Sequence, residues 1–225
     1  MSSREEMRRL AQESIERGDA TGWFEALYQH ASGSWDRVPW ADLVANPFLV
    51  EWLASPAARS GGRRCLVVGC GLGDDAEALA AAGFDVVAFD VAQTAIDACR
   101  SRWRESRVDY AVADVLVPPA AWVRGFDLVF ESYTLQVLPP AARATATAVL
   151  ASLVAPGGRL LVLCRARDRN EPEGQLPWPL TREELARFVE HGLTELSCES
   201  FFDDESPPVR RFRALYQRLA PAARP

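Results

Sequence analysis

Beyond residue 62 the chain alternates between short apolar runs and longer segments with helical spacing. Five of the apolar runs are typical of strands, at 65–68, 85–89, 108–113, 126–130 and 159–164. Helical patterns lie between most of these runs, at 74–82, 91–104 and 140–154. Such alternation indicates βαβ units, whose parallel strands form a sheet that helices cover on both faces. We therefore predict an α/β fold with an open, doubly wound and mostly parallel sheet.

The last third of the chain has a different pattern. Thr181 to Glu184 has the form of a capping box, so we expect a helix that continues to about His191. Two further runs, 193–202 and 209–218, are typical of strands joined as a hairpin. A mostly parallel sheet commonly carries an antiparallel strand at its end. The pattern thus predicts seven strands, of which the last is antiparallel.

A segment with another composition precedes the sheet. Residues 4–17 have the spacing of an amphipathic helix, and Asn46-Pro47 is typical of the start of a second one. Four of the tryptophans lie in this segment, namely Trp23, Trp35, Trp40 and Trp52. Ser60-Gly61-Gly62 then interrupts the pattern. We predict an N-terminal helical cap over residues 1–60 and a main domain over residues 61–225.

Composition excludes several classes of protein. All 25 basic residues are arginines, so the lysine that Walker-type phosphate loops, protein kinases and pyridoxal enzymes require is absent. A net charge of −6 disfavours binding to nucleic acid. His30 and His191 are the only histidines, and the cysteines form no C-x-x-C pair, so we expect no metal centre. The sequence has no signal-like or membrane-length apolar run, so we expect a cytoplasmic protein that does not bind membranes. We expect a monomer or a dimer.

The glycine-rich loop 69–73 follows the first predicted strand and precedes its helix. Glycines let the backbone turn sharply there and let a ligand approach main-chain N–H groups, although a tight turn alone would also use them. Asp90 ends the second strand about twenty residues later, where an acidic side chain can bind ribose hydroxyls. Asp114 ends the third strand, where it either faces the same crevice or forms a turn. These strand ends predict a nucleoside site.

The loop departs from a dinucleotide fingerprint at its sixth position. That position, counted from Gly69, is Asp74 instead of glycine. A carboxylate at a helix N-terminus repels a pyrophosphate, so the loop favours a nucleoside without phosphate at this point. A nicotinamide-dependent oxidoreductase is therefore disfavoured but stays an alternative, and so does a non-catalytic module that binds an adenosine cofactor.

These residues resemble those of the class I S-adenosylmethionine-dependent methyltransferases over about residues 63–218. The resemblance rests on Gly69–Gly73, Asp90, Ala113-Asp114, Phe126–Val129 and Pro156–Gly158. It implies a Rossmann-like fold, with S-adenosylmethionine as methyl donor and S-adenosylhomocysteine as product. The cofactor residues implied for this chain are Gly69, Cys70, Gly71, Gly73, Asp75, Asp90, Val91, Asp114, Val115, Glu131 and Trp35.

The resemblance also implies what each part of the loop region contacts. Gly69 and Gly71 would face the methionine part of the cofactor and Asp90 the ribose hydroxyls. Asp114, with Val115 beside it, would lie at the adenine amine.

Within this superfamily the chain is most similar to the thiopurine and thiol methyltransferase branch. Val67 stands where many other members carry an acidic residue, and Gly69–Asp75 matches the G-C-G-x-G-x-D of that branch. Gly22-Trp23 and Trp35-Asp36 resemble its tryptophan-bearing N-terminal segment, and Arg211–Tyr216 resembles its last strand. The resemblance implies a thiol or a related soft nucleophile as methyl acceptor.

Substrate recognition is expected in the N-terminal cap and after the fourth and fifth strands. Tryptophan rings stack on aromatic ligands and attract cations, but they also serve as core residues; Trp35 is the one expected to face the site. Asp36 could orient a substrate or form a turn, and Arg165 could bind a carboxylate or lie with Arg167 and Arg169 in a solvated loop. The candidate substrate residues are Trp23, Trp35, Asp36, Trp40, Tyr133 and Arg165.

Methyl transfer from a sulfonium is an in-line displacement, so the protein mainly aligns the acceptor with the methyl group. A thiol needs no strong base, whereas a hydroxyl does. Glu131 and Tyr133 follow the fourth predicted strand and are the candidate catalytic residues, expected to point into the crevice; alternatively, Glu131 only holds a loop. An O- or N-methyltransferase that uses Glu131 or His30 as base stays an alternative.

Overall fold

A computed structural model describes residues 2–59 and 61–220, in which seven strands form one sheet. The order of the strands is β3-β2-β1-β4-β5-β7-β6. The strands are β1 Arg64–Val68, β2 Asp85–Asp90, β3 Asp109–Val112, β4 Phe126–Ser132, β5 Val154–Arg165, β6 Thr194–Phe202 and β7 Arg210–Gln217. Neighbouring strands from β3 to β5 pair in parallel, while β7 is antiparallel to both β5 and β6. The predicted seven-stranded sheet with an antiparallel last strand is confirmed.

Eight α-helices accompany the sheet in the described ranges. They are α1 Ser3–Glu16, α2 Gly22–Ala31, α3 Pro47–Ala54, α4 Pro56–Arg59, α5 Asp74–Ala81, α6 Gln93–Arg102, α7 Pro140–Leu153 and α8 Arg182–Glu190. The capping box at Thr181 and Glu184 forms as predicted and begins α8. Asn46 accepts a hydrogen bond from the backbone N–H of Phe48 and so caps α3, with proline at the first helical position. None of the helices in these ranges is long and apolar enough to cross a membrane.

The sheet is buried on both faces, as parallel sheets require. Leu66, Val129 and Val162 point to one face, where they pack in a core that includes residues of α7 and α8. Leu128 and Phe130 point to the other face, where the core includes residues of α3, α5 and α6. This two-faced burial explains the uninterrupted apolar runs of the central strands.

The N-terminal helices pack beside the loops that follow the strands. Met7 of α1 and Leu27 of α2 share a buried cluster with Val137 and Leu176, which follow β4 and β5. Glu25 of α2 accepts two hydrogen bonds from Thr94 at the start of α6. The division into a cap and a main domain stays a prediction, and Ser60 and residues 221–225 lie outside the described part of the chain.

The chain leaves β1 towards β2 and β3 on one side and leaves β4 towards β5 on the other. In an open parallel sheet this reversal produces a crevice at the carboxyl ends of the strands, where ligands bind. The loops after β1 to β5 therefore converge at one edge of the sheet.

Candidate functional site

A cavity of about 570 Å³ lies at this edge, a size typical of small-molecule sites. We call its two parts the β1–β3 half, lined by Gly71, Asp90 and Asp114 among others, and the β4–β7 half. The β4–β7 half is lined by side chains that follow or belong to those strands, including Tyr133, Gln136, Arg165 and Arg211. Of the predicted cofactor residues, the cavity lining includes Gly69, Cys70, Gly71, Asp75, Asp90, Val91, Asp114 and Val115.

At two positions of the glycine loop, neighbouring side chains leave little room for any residue but glycine. Gly69 has φ +59°, and a Cβ there would lie 2.5 Å from Thr134 Oγ1. Gly71 has φ +55°, and its Cβ would lie 3.2 Å from the Tyr28 hydroxyl oxygen. Both positions thus combine a left-handed backbone with little space for a side chain, which explains why glycine is used. The bare backbone of this loop faces the cavity.

Gly73, which the resemblance places at the cofactor, does not line the cavity. It has φ +89°, and a Cβ there would lie 2.4 Å from the Tyr110 hydroxyl oxygen and 3.2 Å from Cys99 Sγ. This glycine therefore allows the loop to pack against β3 and α6.

Asp90 is buried at the end of β2 and holds the glycine loop. Its Oδ2 accepts a hydrogen bond from the backbone N–H of Gly71 at 3.0 Å, and its Oδ1 accepts one from Ala92 at 2.9 Å. A carboxylate can accept about four hydrogen bonds, so acceptor capacity remains towards the cavity. Burial raises the pKa of Asp90 to about 6, which leaves it mostly ionised at neutral pH.

The end of β3 supplies an acidic group beside an apolar wall. Asp114 accepts hydrogen bonds from the Thr21 hydroxyl at 3.3 Å and from the backbone N–H of Leu116 at 2.8 Å. Val115 is buried and packs in the same cluster as Phe89, which also lines the cavity. This arrangement suits a flat base, with an apolar wall for its face and a carboxylate for an exocyclic amine.

Two adjacent carboxylates at the start of α5 have different partners. Asp74 forms a two-pronged ion pair with Arg102, with N–O distances of 2.8 and 2.9 Å. Asp75 accepts a hydrogen bond from the backbone N–H of Asn46 at 2.7 Å, and burial raises its pKa to about 6. Asp75 therefore holds the start of α3 beside the cavity, while the charge of Asp74 is already neutralised.

The position expected for Glu131 is wrong. It lies within β4 rather than after it, is 0% exposed and does not line the cavity. Its Oε1 accepts hydrogen bonds from the backbone N–H groups of Thr134 and Leu135, at 2.7 and 2.9 Å. Burial raises the pKa of Glu131 to about 7. The carboxyl group thus holds the turn after β4, which was the alternative considered for it.

Tyr133 does line the cavity, as expected. Its backbone has φ +63°, unusual for a bulky residue, and the Arg211 guanidinium lies 5.0 Å from its ring centroid. Burial raises the pKa of the Tyr133 hydroxyl, so it stays protonated and can donate a hydrogen bond.

Only one of the three candidate tryptophans reaches the cavity. Trp40 lines it and donates a hydrogen bond from Nε1 to the Tyr28 hydroxyl at 2.9 Å. Trp23, a predicted substrate residue, is 1% exposed, stacks on Phe24 with ring centroids 3.8 Å apart and does not line the cavity. Trp35 packs edge-on against Tyr28 without lining the cavity.

Of the two other polar residues predicted to contact a substrate, one lines the cavity and one does not. Asp36 is exposed outside the cavity, so its predicted place in the site, like that of Trp35, is not found. Arg165 lines the cavity, whereas Arg167 donates hydrogen bonds to the carbonyls of Pro179 and Glu171 instead. Asp168 pairs with Arg210 at 2.8 Å rather than with the arginines beside it.

Several cavity residues escape sequence reasoning because they come from distant segments. Tyr28 of α2, Asn46 before α3 and Arg211 of β7 all line it. Gln136 also lines the cavity, and its position shortly after β4 is the one sequence signal that could have indicated this. His30 is exposed outside the cavity lining, and the described residues hold no cluster of three or more His, Cys, Asp or Glu suited to a metal ion.

Residues 65–158 match the family model described as "Methyltransferase domain". The ubiquinone biosynthesis O-methyltransferase of Bordetella avium (strain 197N) is 34% identical over 115 residues, covering 50% of this chain and 47% of the relative. That of Xylella fastidiosa (strain 9a5c) is 39% identical over 139 residues, covering 58% and 54%. The chain thus spans about half the length of the curated relatives that it matches.

Solved structures resemble nearly the whole chain. A protein from a study of the conversion of a disulfide bond into a thioacetal group during echinomycin biosynthesis has a TM-score of 0.72 and 22% identity, covering 88% of this chain and 93% of that one. The N-methyltransferase NodS from Bradyrhizobium japonicum WM9, in complex with S-adenosylhomocysteine, has a TM-score of 0.66 and 22% identity, covering 86% and 97%. At these identities the likeness shows the fold. The chain therefore has the Rossmann-like fold of these solved structures, and its residues 65–158 match a methyltransferase domain family.

Proposed function

We propose that this protein transfers a methyl group from S-adenosylmethionine to a small-molecule acceptor. The observation that carries the proposal is the β1–β3 half of the cavity, where Asp90 and Asp114 lie at neighbouring strand ends beside the bare glycine loop. The match of residues 65–158 to the methyltransferase domain family supports the same function.

The residues of this half fit the donor. Gly69 and Gly71 leave the loop backbone accessible, and Asp90 keeps acceptor capacity for the two ribose hydroxyls. Asp114 would accept a hydrogen bond from the adenine amine while Val115 packs against the ring. When bound, the donor supplies an already activated methyl group. The chain's own residues then need only position the acceptor and exclude water.

We propose a thiol or related soft nucleophile as the acceptor, in keeping with the thiopurine-like branch. Neither Glu131 nor His30, the bases considered for a hydroxyl or amine, belongs to the cavity lining. Tyr133 lies in the β4–β7 half, but burial raises its pKa, so it stays protonated; it can donate a hydrogen bond but does not serve as a base. An acceptor that ionises without help, such as a thiol, needs none of these three groups as a base.

A small-molecule O-methyltransferase is the second candidate. It is favoured by the relatives named above, which are O-methyltransferases of ubiquinone biosynthesis and match half of this chain.

Release of S-adenosylhomocysteine from S-adenosylmethionine, measured with matched aromatic thiols, phenols and amines, tests both candidates. We expect turnover with thiols. Turnover with phenols alone would favour the second candidate. Binding of NAD in place of S-adenosylhomocysteine, measured by calorimetry, would contradict the methyltransferase proposal itself.

A further inference from the structure

Arg165 is a cation in the β4–β7 half that lacks a close partner. It stands at the carboxyl end of β5, and its side chain is 21% exposed. Over residues 2–59 and 61–220, its guanidinium donates no hydrogen bond, and the acidic oxygen nearest to it is Glu205 Oε2 at 3.6 Å. A guanidinium carries five N–H donors, so a largely buried one with none of them used favours an anion.

Three other arginines line the cavity. The side chain of Arg4 is 56% exposed, so solvent screens its charge, and it lies 4.0 Å from Glu205 Oε2. Arg211 forms ion pairs with Asp203 at 2.6 Å and with Glu205. Arg8 donates a hydrogen bond to the carbonyl of Leu176 at 2.9 Å. Because the close contact of Glu205 is with Arg211, its charge neutralises Arg165 only in part.

The backbone holds Arg165 in place before any ligand arrives. Its N–H donates to Gln136 Oε1 at 2.7 Å, and its carbonyl accepts from the N–H of Leu180 at 2.9 Å. Burial and the neighbouring Arg211 guanidinium lower the pKa of Arg165, yet an arginine stays charged throughout the physiological range. The backbone of Arg165 therefore needs no rearrangement to present its side chain to a ligand.

The surroundings of Arg165 complete a subsite. Tyr133 offers an aromatic ring, and Val137 and Met7 offer an apolar wall. Of the acidic groups in this half, Asp203 is bonded to Arg211 and to loop N–H groups, and Asp204 is exposed to solvent, which screens its charge.

We propose, on the basis of the methyltransferase function above, that the methyl acceptor carries a carboxylate and that Arg165 binds it. The rest of the acceptor packs between Tyr133 and the apolar wall. Arg165 is thus a specificity-determining residue, and Glu205 is the group that competes with the ligand for it.

Calorimetry on the protein saturated with S-adenosylhomocysteine tests this with matched pairs of probes. The pairs are 2-mercaptobenzoate and thiophenol, 4-hydroxybenzoate and phenol, and anthranilate and aniline. In at least one pair we expect the carboxylate to bind about 10- to 150-fold more tightly, the range of hydrogen bonds to charged groups. Arg165→Gln should remove this difference, while Arg169→Gln, an exposed neighbour outside the cavity, should preserve it.

A second variant should act in the opposite direction. Glu205→Gln removes the competing charge, so carboxylate probes should bind several-fold more tightly, a gain that mere damage to the fold would not produce. Equal affinity within every pair, no binding of any carboxylate, or a preference that survives in Arg165→Gln would overturn the inference. Failure of S-adenosylhomocysteine itself to bind would instead refute the proposed function, and the inference with it.

Discussion

Replacing Asp90 with asparagine separates two tasks that one carboxylate performs. Each of its oxygens accepts a backbone N–H, that of Gly71 at 3.0 Å or that of Ala92 at 2.9 Å. Asparagine has a single oxygen, so one of these buried N–H groups would face an NH₂ group. An unsatisfied buried donor costs about 1–3 kcal/mol, and we expect the free energy of unfolding to fall by this amount.

The same substitution should weaken binding of the cofactor product. Hydrogen bonds to a charged group contribute about 1.5–3 kcal/mol, so the Kd for S-adenosylhomocysteine should rise roughly 10- to 150-fold. Calorimetry at pH 7.5 measures the Kd, and urea unfolding measures the stability. Asp85→Asn is the matched control, because Asp85 is exposed at the other end of the same strand and should leave both quantities unchanged.

The two readouts refute different parts of the reasoning. If stability falls and the Kd does not change, Asp90 holds the glycine loop without contacting the ribose. If neither quantity changes, the hydrogen bonds of Asp90 do not have the energetic role assigned to them.

The affinity for S-adenosylhomocysteine should fall as the pH drops through about 6, because protonation removes the negative charge of Asp90 that binds the ribose hydroxyls. Calorimetry across pH 5–8 should show no such fall in Asp90→Asn. Burial raises the pKa of Glu131 to about 7, so its ionisation lowers the stability of the fold as the pH rises from about 4.5 to 7. Glu131→Gln should therefore flatten this part of a profile of Tm against pH and should keep turnover. Loss of turnover in a folded variant would show that Glu131 acts as a base. Gly73→Ala should cost about 1–3 kcal/mol more in urea unfolding than Gly18→Ala, since both have positive φ but only a Cβ at Gly73 meets Tyr110; equal losses would contradict the packing argument.

Local sequence patterns were enough for most of the fold. Capping residues such as Thr181 and the alternation of strand and helix runs act over a few residues, so they can be read without knowledge of tertiary contacts. Helix α2 was missed because its start depends on a residue before it: Asp19 Oδ1 accepts hydrogen bonds from the N–H groups of Thr21 and Gly22. Thr21 itself, which stands at the N-cap position, makes no side-chain capping bond.

The candidate site was predictable where strand ends determine position and unpredictable where packing decides direction. Asp90 is the last residue of β2 and Asp114 follows β3 by two residues, so both reach the crevice at the carboxyl ends of the strands. Glu131 lies two residues after Val129 in β4, and side chains alternate between the faces of a sheet with a period of two. Its side chain therefore shares the face of Val129, which packs in the core with α7 and α8. The predicted strand ended at residue 130, so Glu131 was placed after it, whereas β4 continues to Ser132. Trp23 is buried because it packs against Phe24 of the same helix and against Trp40.

The hydrogen bonds from Thr21 to Asp114 and from Asn46 to Asp75 join the N-terminal segment to carboxylates that also face the cavity. A ligand that binds these carboxylates should therefore also stabilise the contacts of α2 and α3 with the rest of the chain. By mass action, saturation should slow hydrogen–deuterium exchange in these two helices, far beyond the atoms that the ligand touches. Occupancy of the cavity and the order of α2 and α3 are then linked in one equilibrium.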